Sequence, residues 1–425
     1  MHKIERLLHT LAPKGVGFKT LEEVFEIKNG YTPSKNNPEF WKNGTIPWFR
    51  MEDIRENGRI LKDSIQHITP KALKGKKLFP KNSIIISTTA TIGEHALLIV
   101  DSLANQRFTF LSKKANCDIA LDMKFFFYQC FLLGEWCKNN INVSGFASVD
   151  MTAFKKYKFP IPPLEIQQEI VKILDAFTEL NTELNTELNA RKKQYEYYQN
   201  MLLDFNDINQ SHKDAKEKLA QKPYPKRLKT LLHALAPKGV EFRKLGEVCE
   251  IIRGKRVTKK EILDKGKYPV VSGGIGFMGY LNEYNREENT ITIAQYGTAG
   301  FVNWQNQKFW ANDVCFSLIP NETLINRYLY YVLTNMQNYL YSISNRSTIP
   351  YSISSNNIMQ ITIPIPPLEI QQEIVKILDQ FSILTTDLLA GIPAEIKARK
   401  KQYEYYREKL LTFKPLTPNK EVKKE

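Results

Sequence analysis

The sequence Pro-Ile-Pro-Pro-Leu-Glu-Ile-Gln-Gln-Glu-Ile-Val-Lys-Ile-Leu-Asp occupies residues 160–175 and recurs without a change at residues 364–379. Residues 7–16 also return as residues 231–240 with one substitution, and residues 190–198 return unchanged as residues 398–406. A period of about 200 residues is too long for a solenoid repeat, whose units run about 20 to 50 residues. The pattern therefore indicates duplication of a domain-sized unit.

Each repeat predicts a long helix. The two prolines before Leu164 suit a first helical turn, and apolar residues then recur at steps of three and four, as in a coiled-coil seam. The run from Leu164 to Phe205 could span about 63 Å. It contains Thr-Glu-Leu-Asn three times over residues 178–189, and adding or removing one such unit would change the helix length by about 6 Å.

The second repeat departs from the first near its middle. It contains Gly391 and Pro393, which have no counterpart in the first copy. Glycine followed by proline predicts a break near residue 391, with Pro393 at the start of a new helix.

The segments between the repeats share a skeleton despite their different sequences. A strand-like run at residues 84–87 is followed by Thr-Ile-Gly at 91–93, and a run at residues 291–294 is followed by Thr-Ala-Gly at 298–300, with the same offset of 207 residues. Short strands and Gly/Asn turns dominate both segments. The sequence therefore predicts an α+β protein with two globular α/β domains.

The positive charge lies mainly on these two segments. The chain carries a net charge of +15. Residues 17–158 hold 21 Lys and Arg against 14 Asp and Glu, a net +7, and residues 241–362 hold 13 against 10, a net +3. Residues 159–240 carry only +1. This distribution favours segments that meet a polyanion and repeats that meet protein.

Several kinds of catalytic site are not indicated. Residues 274–279 match G-x-G-x-x-G, but a strand-like run follows where a dinucleotide site needs a helix. There is no phosphate-binding G-x-x-x-x-G-K-[ST] loop, no Asn-Pro-Pro-Tyr motif, and no metal-binding or triad spacing among the six histidines. The five scattered cysteines are expected to be packing residues. The sequence therefore predicts a recognition protein that has no catalytic site of its own.

A membrane segment is not indicated either. No run of about 18 apolar residues is present, and the N-terminus does not resemble a signal peptide. We therefore expect a cytoplasmic protein.

The doubled Pro-Ile-Pro-Pro-Leu-Glu-Ile-Gln-Gln-Glu-Ile motif resembles the specificity (S) subunit of type I restriction-modification enzymes. Thr32-Pro33-Ser34, Ile46-Pro47-Trp48, Asp53-Ile54 and Gly-Thr-Ala-Gly at 297–300 are similar to elements of that family's target recognition domains. The likeness covers nearly the whole chain.

The resemblance implies a domain organisation with two recognition domains joined by two conserved helices that pair as an antiparallel coiled coil. The expected boundaries are an N-terminal segment at 1–16 that echoes 225–240, recognition domain 1 at 17–158, spacer helix 1 at 159–205, a connection with repeat segment at 206–240, recognition domain 2 at 241–362, spacer helix 2 at 363–413, and a charged tail at 414–425.

The resemblance also implies the partners. Each recognition domain would grip one half of a split sequence in double-stranded DNA. Two methyltransferase (M) subunits, using S-adenosylmethionine, and restriction (R) subunits, using ATP and Mg²⁺, would dock on this chain, which itself needs no cofactor or metal and has no membrane partner.

We predict two sets of site residues. The candidates for DNA contact are Tyr31, Ser34, Lys35, Asn36, Trp41, Trp48, Arg50, Lys74, Lys76, Lys77, Arg253, Lys255, Arg256, Lys259, Lys260, Gln295, Tyr296, Trp304 and Arg346. The candidates for the spacer and for partner binding are Pro163, Leu164, Gln167, Gln168, Ile170, Leu174, Phe177, Pro367, Leu368, Gln371, Gln372, Ile374, Leu378 and Phe381.

Two other functions stay open at this point. A standalone two-module DNA-binding regulator would bind its site tightly without a partner. An interaction scaffold that does not bind DNA would keep its function after loss of the basic clusters.

Overall fold

The computed structural model describes residues 2–142, 147–205, 223–347, 349–386 and 391–416. The chain divides into two compact units. Unit 1 combines residues 1–183 with residues 397–425, and unit 2 is residues 184–396. Residues 206–222 of the expected connection and residues 417–425 of the charged tail lie outside the described residues.

Helices form wherever the sequence carries apolar residues at helical spacing. In chain order they are α1 (His2–Leu11), α2 (Leu21–Val24), α3 (Met51–Asn57), α4 (Met123–Asn139), α5 (Met151–Lys155), α6 (Leu164–Leu203), α7 (Lys226–Leu235), α8 (Leu245–Val248), α9 (Asn326–Asn335), α10 (Gln337–Ser342), α11 (Ser355–Met359), α12 (Leu368–Thr386) and α13 (Ile392–Leu411). Two short 3₁₀ turns occupy Pro38–Phe40 and Pro70–Leu73.

The strands are short. In unit 1 they are β1 (Gly17–Thr20), β2 (Phe25–Asn29), β3 (Ile46–Phe49), β4 (Ile60–Leu61), β5 (His67–Ile68), β6 (Ile84–Ser87), β7 (His95–Leu98), β8 (Leu103–Ala104), β9 (Phe108–Lys113), β10 (Ile141–Asn142), β11 (Ser148–Val149) and β12 (Lys158–Ile161). In unit 2 they are β13 (Glu241–Lys244), β14 (Cys249–Arg253), β15 (Tyr268–Val271), β16 (Tyr280–Leu281), β17 (Thr290–Ala294), β18 (Val302–Gln305), β19 (Trp310–Ala311), β20 (Cys315–Pro320) and β21 (Thr362–Ile365).

The two units repeat one sheet topology. Unit 1 has a sheet in the order β2-β9-β6-β7-β4, and unit 2 has the order β14-β20-β17-β18. Beside these lie the sheets β5-β3-β8 and β16-β15-β19, each with one parallel pair. Ile84 pairs with Leu111 in unit 1, and Ile291 pairs with Leu318 in unit 2. Each residue of the unit 2 pair lies 207 positions after its counterpart in unit 1, so the common skeleton expected from the sequence is confirmed.

The core of each unit lies between its larger sheet and the start of a repeat helix. In unit 1 the buried strand β6 packs with Phe125 and Phe126 of α4 and with Ile170 of α6. In unit 2 strand β17 packs in the same way with Tyr328 of α9 and Ile374 of α12. The β-branched run of β6 suits a strand that is buried on both faces.

The shorter repeats pack against the ends of the long helices. Ile4 of α1 shares a core with Leu410 and Leu411 of α13 in unit 1. Leu228 of α7 shares a core with Leu202 of α6 in unit 2. The same two sequence elements therefore meet in both units, which accounts for their joint repetition.

The long helices follow the sequence prediction. Helix α6 has 40 residues, which corresponds to about 60 Å. Helix α12 ends at Thr386, residues 387–390 lie outside the described residues, and α13 begins at Ile392. The backbone N–H groups of Ala394 and Glu395 donate to the carbonyl of Gly391. The predicted start of a new helix beside Pro393 is therefore confirmed. Within the described ranges, no helix is long and apolar enough to cross a bilayer.

Candidate nucleic-acid interface

One loop is anchored identically in both units, directly after strand β2 in unit 1 and strand β14 in unit 2. We call residues 30–36 and residues 254–260 the pinned loops. The anchoring bonds run from Gly30 N to Phe108 O (2.9 Å), Tyr31 N to Ala104 O (2.8 Å), Gly254 N to Cys315 O (2.9 Å) and Lys255 N to Ala311 O (2.9 Å). The two pinned loops therefore occupy equivalent places in the duplicated fold.

Glycine is required where each pinned loop begins. A Cβ atom on Gly30 would lie 2.2 Å from the carbonyl oxygen of Asn105, and one on Gly254 would lie 2.0 Å from that of Asn312. Both distances are far below van der Waals contact, so only glycine lets the backbone approach this closely.

A tryptophan indole also anchors each pinned loop, although it comes from a different strand in each unit. The Trp48 Nε1–H donates to the Tyr31 carbonyl at 2.8 Å, and the Trp310 Nε1–H donates to the Lys255 carbonyl at 2.8 Å. The backbones of Tyr31 and Lys255 are thus held through both the N–H and the carbonyl group. The side chain of each residue therefore extends from a fixed backbone.

Three predicted DNA contacts in unit 1 align with the basic cluster of unit 2. An offset of 224 residues relates Tyr31 to Lys255, as the anchoring bonds show. The same offset aligns Lys35 with Lys259 and Asn36 with Lys260. Ser34, Lys35 and Asn36 are exposed, as are Arg253, Lys255, Arg256, Lys259 and Lys260. The structure therefore brings these candidates to matching surfaces.

Cations from a second segment reach the pinned loop of unit 1. The ammonium group of Lys76 lies 5.0 Å from the centre of the Tyr31 ring, and that of Lys74 lies 5.3 Å from the centre of the Phe40 ring. Lys77 is exposed beside them. The Trp41 indole donates to the Ser34 carbonyl at 2.9 Å. Basic and aromatic groups separated by about 40 residues in the sequence thus form one surface, a combination that suits contact with nucleic acid.

Trp48 has a different role from the one expected. Only 2% of its side chain is exposed, and its ring packs edge-on against Trp41 at 5.0 Å. A buried indole that donates to the Tyr31 carbonyl positions the pinned loop and has no exposed face to offer a base. We therefore correct its assignment from DNA contact to loop support.

A polar cleft of about 360 Å³ opens beside the pinned loop of unit 1. Four cationic side chains line it, together with the carboxylate of Glu52: they are Lys35, Arg50, Arg55 and Arg107. The Arg50 Nε atom is buried without a hydrogen-bond partner among the described residues. Its carboxylate neighbour Glu52 lies 3.8 Å away. A cleft with this surplus of cations suits a phosphate or the edge of a guanine.

Arg55 and Arg107 are not among the residues predicted from the sequence. Arg107 stands alone in the chain, Arg55 lies on the helix that follows Arg50, and the fold brings both to Lys35. Asp53, quoted above as part of a family-like motif, is fully buried. Its carboxylate accepts hydrogen bonds from the backbone N–H groups of Arg50 and Ile65, both at 2.6 Å, and so shapes the cleft.

In unit 2 the candidates Gln295, Tyr296 and Arg346 lie on neighbouring loops. The backbone of Tyr296 pairs with Ser352, and the Gly297 N–H donates to the Tyr351 carbonyl at 3.1 Å. The Arg346 guanidinium lies 5.6 Å from the centre of the Tyr351 ring. The Oε1 atom of Gln295 is buried and has no hydrogen-bond partner in the described part of the chain. These residues form one surface.

Trp304 does not belong to this surface. Its ring packs at 5.6 Å from Tyr330, with the Arg327 guanidinium 4.8 Å from its centre. Arg327 in turn donates to the carboxylate of Asp379 on α12 at 2.8 Å. Trp304 thus contributes to the junction between the sheet and the repeat helix, and its role in DNA contact stays a prediction.

The repeat helices expose one face and bury another, identically in both copies. Leu164 and Leu368 are 37% and 45% exposed, and Gln168 and Gln372 are exposed as well. Pro163, Phe177, Pro367 and Phe381 are partly exposed. The fully buried candidates are Gln167, Ile170, Leu174, Gln371, Ile374 and Leu378. In this structure those six pack inside their own units and offer no free surface to a partner, so we correct partner binding to an internal role, and their part in the spacer stays a prediction.

The two buried glutamines bind the backbone of their units in the same way. Gln167 accepts from Asp122 N at 2.8 Å and donates to the carbonyls of Ala120 and Pro162 at 2.9 and 2.7 Å. Gln371 accepts from Ile325 N at 2.8 Å and donates to the carbonyls of Thr323 and Pro366 at 2.9 and 2.7 Å. Each amide therefore ties the first turn of a repeat helix to the loop before α4 or α9.

A carboxylate further along each repeat helix makes a second tie. Asp175 accepts from Lys124 and from the Tyr128 hydroxyl, each at 2.6 Å. Asp379 accepts from Arg327 at 2.8 Å and from the Tyr331 hydroxyl. Burial and the carboxylate raise the pKa of both tyrosines, so they remain donors. The repeat helix is therefore fixed to its unit at two levels.

The buried cysteine thiols indicate a structural role and not a catalytic one. Burial raises the pKa of the Cys137, Cys249 and Cys315 thiols to about 12, which keeps them in the unreactive thiol form. Across the described ranges no three His, Cys, Asp or Glu side chains are grouped so that they could hold a metal ion.

Comparison with known proteins adds a family. A model described as the type I restriction modification DNA specificity domain matches residues 13–193 and 237–398. The specificity subunit of the Escherichia coli type I restriction enzyme EcoprrI is 40% identical over 386 residues, which cover 87% of this chain and 88% of that protein. A putative type I specificity subunit of Mycoplasma pneumoniae, S.MpnORF201P, is 33% identical over 258 residues, which cover 59% and 94% respectively.

The fold is similar to that of solved structures. A crystal structure of the S subunit of a type I restriction-modification system from M. genitalium superposes with a TM-score of 0.59 at 18% identity. The match covers 93% of this chain and 96% of that one. A chain from a structural study of complex assembly in a type I restriction-modification system superposes with a TM-score of 0.55 at 17% identity and covers 93% of this chain.

Proposed function

Because the chain belongs to the specificity subunits of type I restriction-modification enzymes, a family of non-catalytic DNA-recognition subunits, we propose that it binds a bipartite double-stranded DNA target with one half-site in each unit. In this proposal residues 17–158 and 241–362 are the recognition domains, and residues 159–205 and 363–413 supply the spacer helices. The protein acts in the cytoplasm.

The observation that carries the proposal is the pair of equivalent pinned loops. The first carries Lys35 and the second carries four cations, each loop is anchored by backbone hydrogen bonds, and each has further basic or aromatic groups around it. Two such surfaces on duplicated folds suit two stretches of one duplex, since phosphate contacts fix position while groove contacts carry sequence information. The different side chains on the two surfaces would then read different half-sites.

The spacer would be an antiparallel helix pair. In unit 1 Phe177 of α6 stacks on Tyr406 of α13 at 5.6 Å, and in unit 2 Tyr198 of α6 stacks on Phe381 at 5.0 Å. The early part of α6 thus meets the late part of the second repeat, and the reverse holds in the other unit. This order is expected for antiparallel pairing, and it would let the length of α6 set the gap between half-sites.

Partner subunits would dock on the exposed face of the repeats. Leu164, Gln168 and Lys172 in the first copy are exposed, as are their identical counterparts Leu368, Gln372 and Lys376 in the second. We call these six residues the docking stripe. Because the two copies are identical, one kind of partner surface would fit both, which favours two methyltransferase subunits per chain. Those subunits would bring S-adenosylmethionine, and restriction subunits would bring ATP and Mg²⁺.

Methylation sequencing tests the function. A host that carries this chain with its methyltransferase partner should gain adenine methylation at one sequence made of two defined halves and an undefined gap. Each half should depend on one unit. The absence of any new bipartite motif, with both proteins expressed and soluble, would contradict the proposal. Tight, site-specific binding by the chain alone would instead favour the standalone regulator.

Docking has its own test. Reversing the charges of the stripe with Lys172→Glu and Lys376→Glu should weaken assembly with the methyltransferase subunit, as measured by size-exclusion chromatography of the mixed proteins. The matched control is Lys158→Glu with Lys265→Glu, two exposed lysines outside the repeats. Equal assembly by both double variants would place the docking surface elsewhere.

A further inference from the structure

Three loops of unit 2 lie side by side and expose apolar side chains. The first, residues 272–279, includes Ile275, Phe277 and Met278, which are 68%, 47% and 38% exposed. We call these three residues the apolar tip. The other two loops are residues 295–298 and the described part of residues 345–352. They expose Tyr296, Ile349 and Tyr351.

Hydrogen bonds hold these loops against one another. The N–H and hydroxyl of Thr298 donate to the Gly273 carbonyl at 3.0 and 2.7 Å. The Gly297 N–H donates to the Tyr351 carbonyl. At the far end of the first loop, Val270 and the segment 278–279 exchange two backbone bonds of 2.9 Å. The base of the apolar tip is therefore fixed while its side chains point outward, a costly arrangement in water unless a partner covers them.

Basic residues lie on two segments that adjoin the loops of the apolar tip. The side chain of Asn312 connects it to the pinned loop, because its Oδ1 atom accepts from Val257 N at 3.1 Å and its Nδ2 atom donates to the Met278 sulfur at 3.7 Å. Val257 directly follows Arg256. On another side, Arg346 lies against Tyr351. An apolar centre with a basic border is complementary to a DNA duplex, whose phosphates flank the stacked bases.

The equivalent position in unit 1 is built differently. There strand β3 is followed by helix α3 and by the cationic cleft that contains Arg50 and Arg55. In unit 2 the matching strand β15 is followed by the apolar tip. The two units thus present opposite chemistry at one place in a shared fold, as two different half-sites would require.

We propose that the apolar tip of unit 2 enters a groove of its half-site and wedges between two adjacent base pairs, which it unstacks. The cations of the pinned loop and Arg346 contact the flanking phosphates. This inference rests on the proposed function. Its target is a flexible pyrimidine–purine step, because such a step is unstacked most easily.

The test uses the full chain with its methyltransferase partner and the duplex that this complex methylates. 2-Aminopurine replaces single bases in each half-site, but not the methylated adenine, where flipping by the partner would itself raise the fluorescence. We expect the fluorescence to rise at one step, in the half-site read by unit 2 only. The double variant Ile275→Ser with Phe277→Ala should abolish that rise and slow methylation by about tenfold or more, the factor that corresponds to about 1.4 kcal/mol.

Ile319→Ser is the matched control. Ile319 is 40% exposed on strand β20. It lies four residues beyond Cys315, which anchors the pinned loop, and so about 13 Å along the strand. This control should leave both readouts unchanged.

The possible outcomes separate the two proposals. If the wild-type complex methylates a bipartite target but the tip variant behaves like the control, the wedge is disproved while the proposed function stands. If the tip variant fails to assemble with the methyltransferase, the apolar tip docks on protein, which also overturns the wedge. If the wild-type complex methylates no bipartite target, the proposed function itself fails.

Discussion

At the scale of single residues, the buried glutamines show that part of the repeated sequence forms hydrogen bonds within each unit. Gln167 and Gln371 each bind three backbone groups, and the bond to the Pro162 or Pro366 carbonyl is buried. Their neighbours Gln168 and Gln372 are exposed. The identical Gln-Gln pair thus has one internal and one external member, and the two can be tested against each other.

Replacing Gln371 with alanine should destabilise unit 2 by about 2 to 4 kcal/mol, because it leaves the Ile325 N–H and the carbonyls of Thr323 and Pro366 without partners. Replacing Gln372 with alanine should change stability by less than about 0.5 kcal/mol. Urea denaturation of the two variants measures the difference. Equal midpoints would show that the buried hydrogen bonds do not hold the helix to the unit.

His95 predicts a dependence of stability on pH. Burial, with Arg59 nearby, lowers the pKa of this imidazole to about 3, against about 6.5 in an unfolded chain. The unfolded state therefore binds a proton more readily. The stabilising effect of the neutral ring is complete above about pH 6.5 and is lost as the pH falls towards 3, at about 1.4 kcal/mol per pH unit.

The variant His95→Gln, which stays neutral, should reduce this dependence. Thermal unfolding of both proteins between pH 4 and 7 is the measurement. Parallel curves over that range would contradict a buried neutral histidine.

At the scale of elements, the long helix α6 links the two units through a stretch that repeats itself. The Thr-Glu-Leu-Asn units at residues 178–189 lie within α6, and the boundary between units 1 and 2 falls among them. A four-residue unit is close to one helical turn of 3.6 residues, so the leucines keep nearly the same face when a unit is added or removed. Helix length can therefore vary while the seam is kept.

Deleting one unit, residues 182–185, should shorten α6 by about 6 Å. If α6 sets the spacing, the methylated sequence should keep both half-sites and lose at least about one base pair from its gap, since a base pair rises about 3.4 Å. Methylation sequencing reads this directly. Scrambling the same four residues without changing their number is the control, and an unchanged gap in the deletion variant would exclude α6 as the ruler.

At the scale of the whole molecule, the charge is divided between two surfaces. The basic clusters at residues 74–77 and 253–256 belong to different units. If the protein recognises a bipartite DNA target, each cluster should contribute electrostatic affinity independently of the other, because free-energy changes at distant sites are additive. A scaffold without a DNA partner predicts no effect from either cluster.

Neutralising Lys74, Lys76 and Lys77 to glutamine, or separately Arg253, Lys255 and Arg256, should each weaken DNA binding by the assembled complex. Each triple variant should reduce the slope of log affinity against log salt by up to about 2.7, or about 0.9 for each phosphate that the variant no longer neutralises. Titrations at several salt concentrations measure the slope. An unchanged slope in both variants would contradict the placement of the DNA on these surfaces.

The amino-acid sequence by itself determined the duplication, the long helices, the new helix beside Pro393 and the resemblance to a family, because these follow from local spacing and from direct repetition. Only the tertiary structure decided which side chains meet. Arg107 joins Lys35, Arg50 and Arg55 in one cleft, Trp48 is buried, and Trp304 packs on the side of the repeat helix.

The same holds for the doubled motif. Its sequence is identical in both copies, but only packing against α4 and α9 shows that Gln167 and Gln371 face inward. Periodicity records which residues share a helix face, whereas burial depends on contacts between segments far apart in the chain.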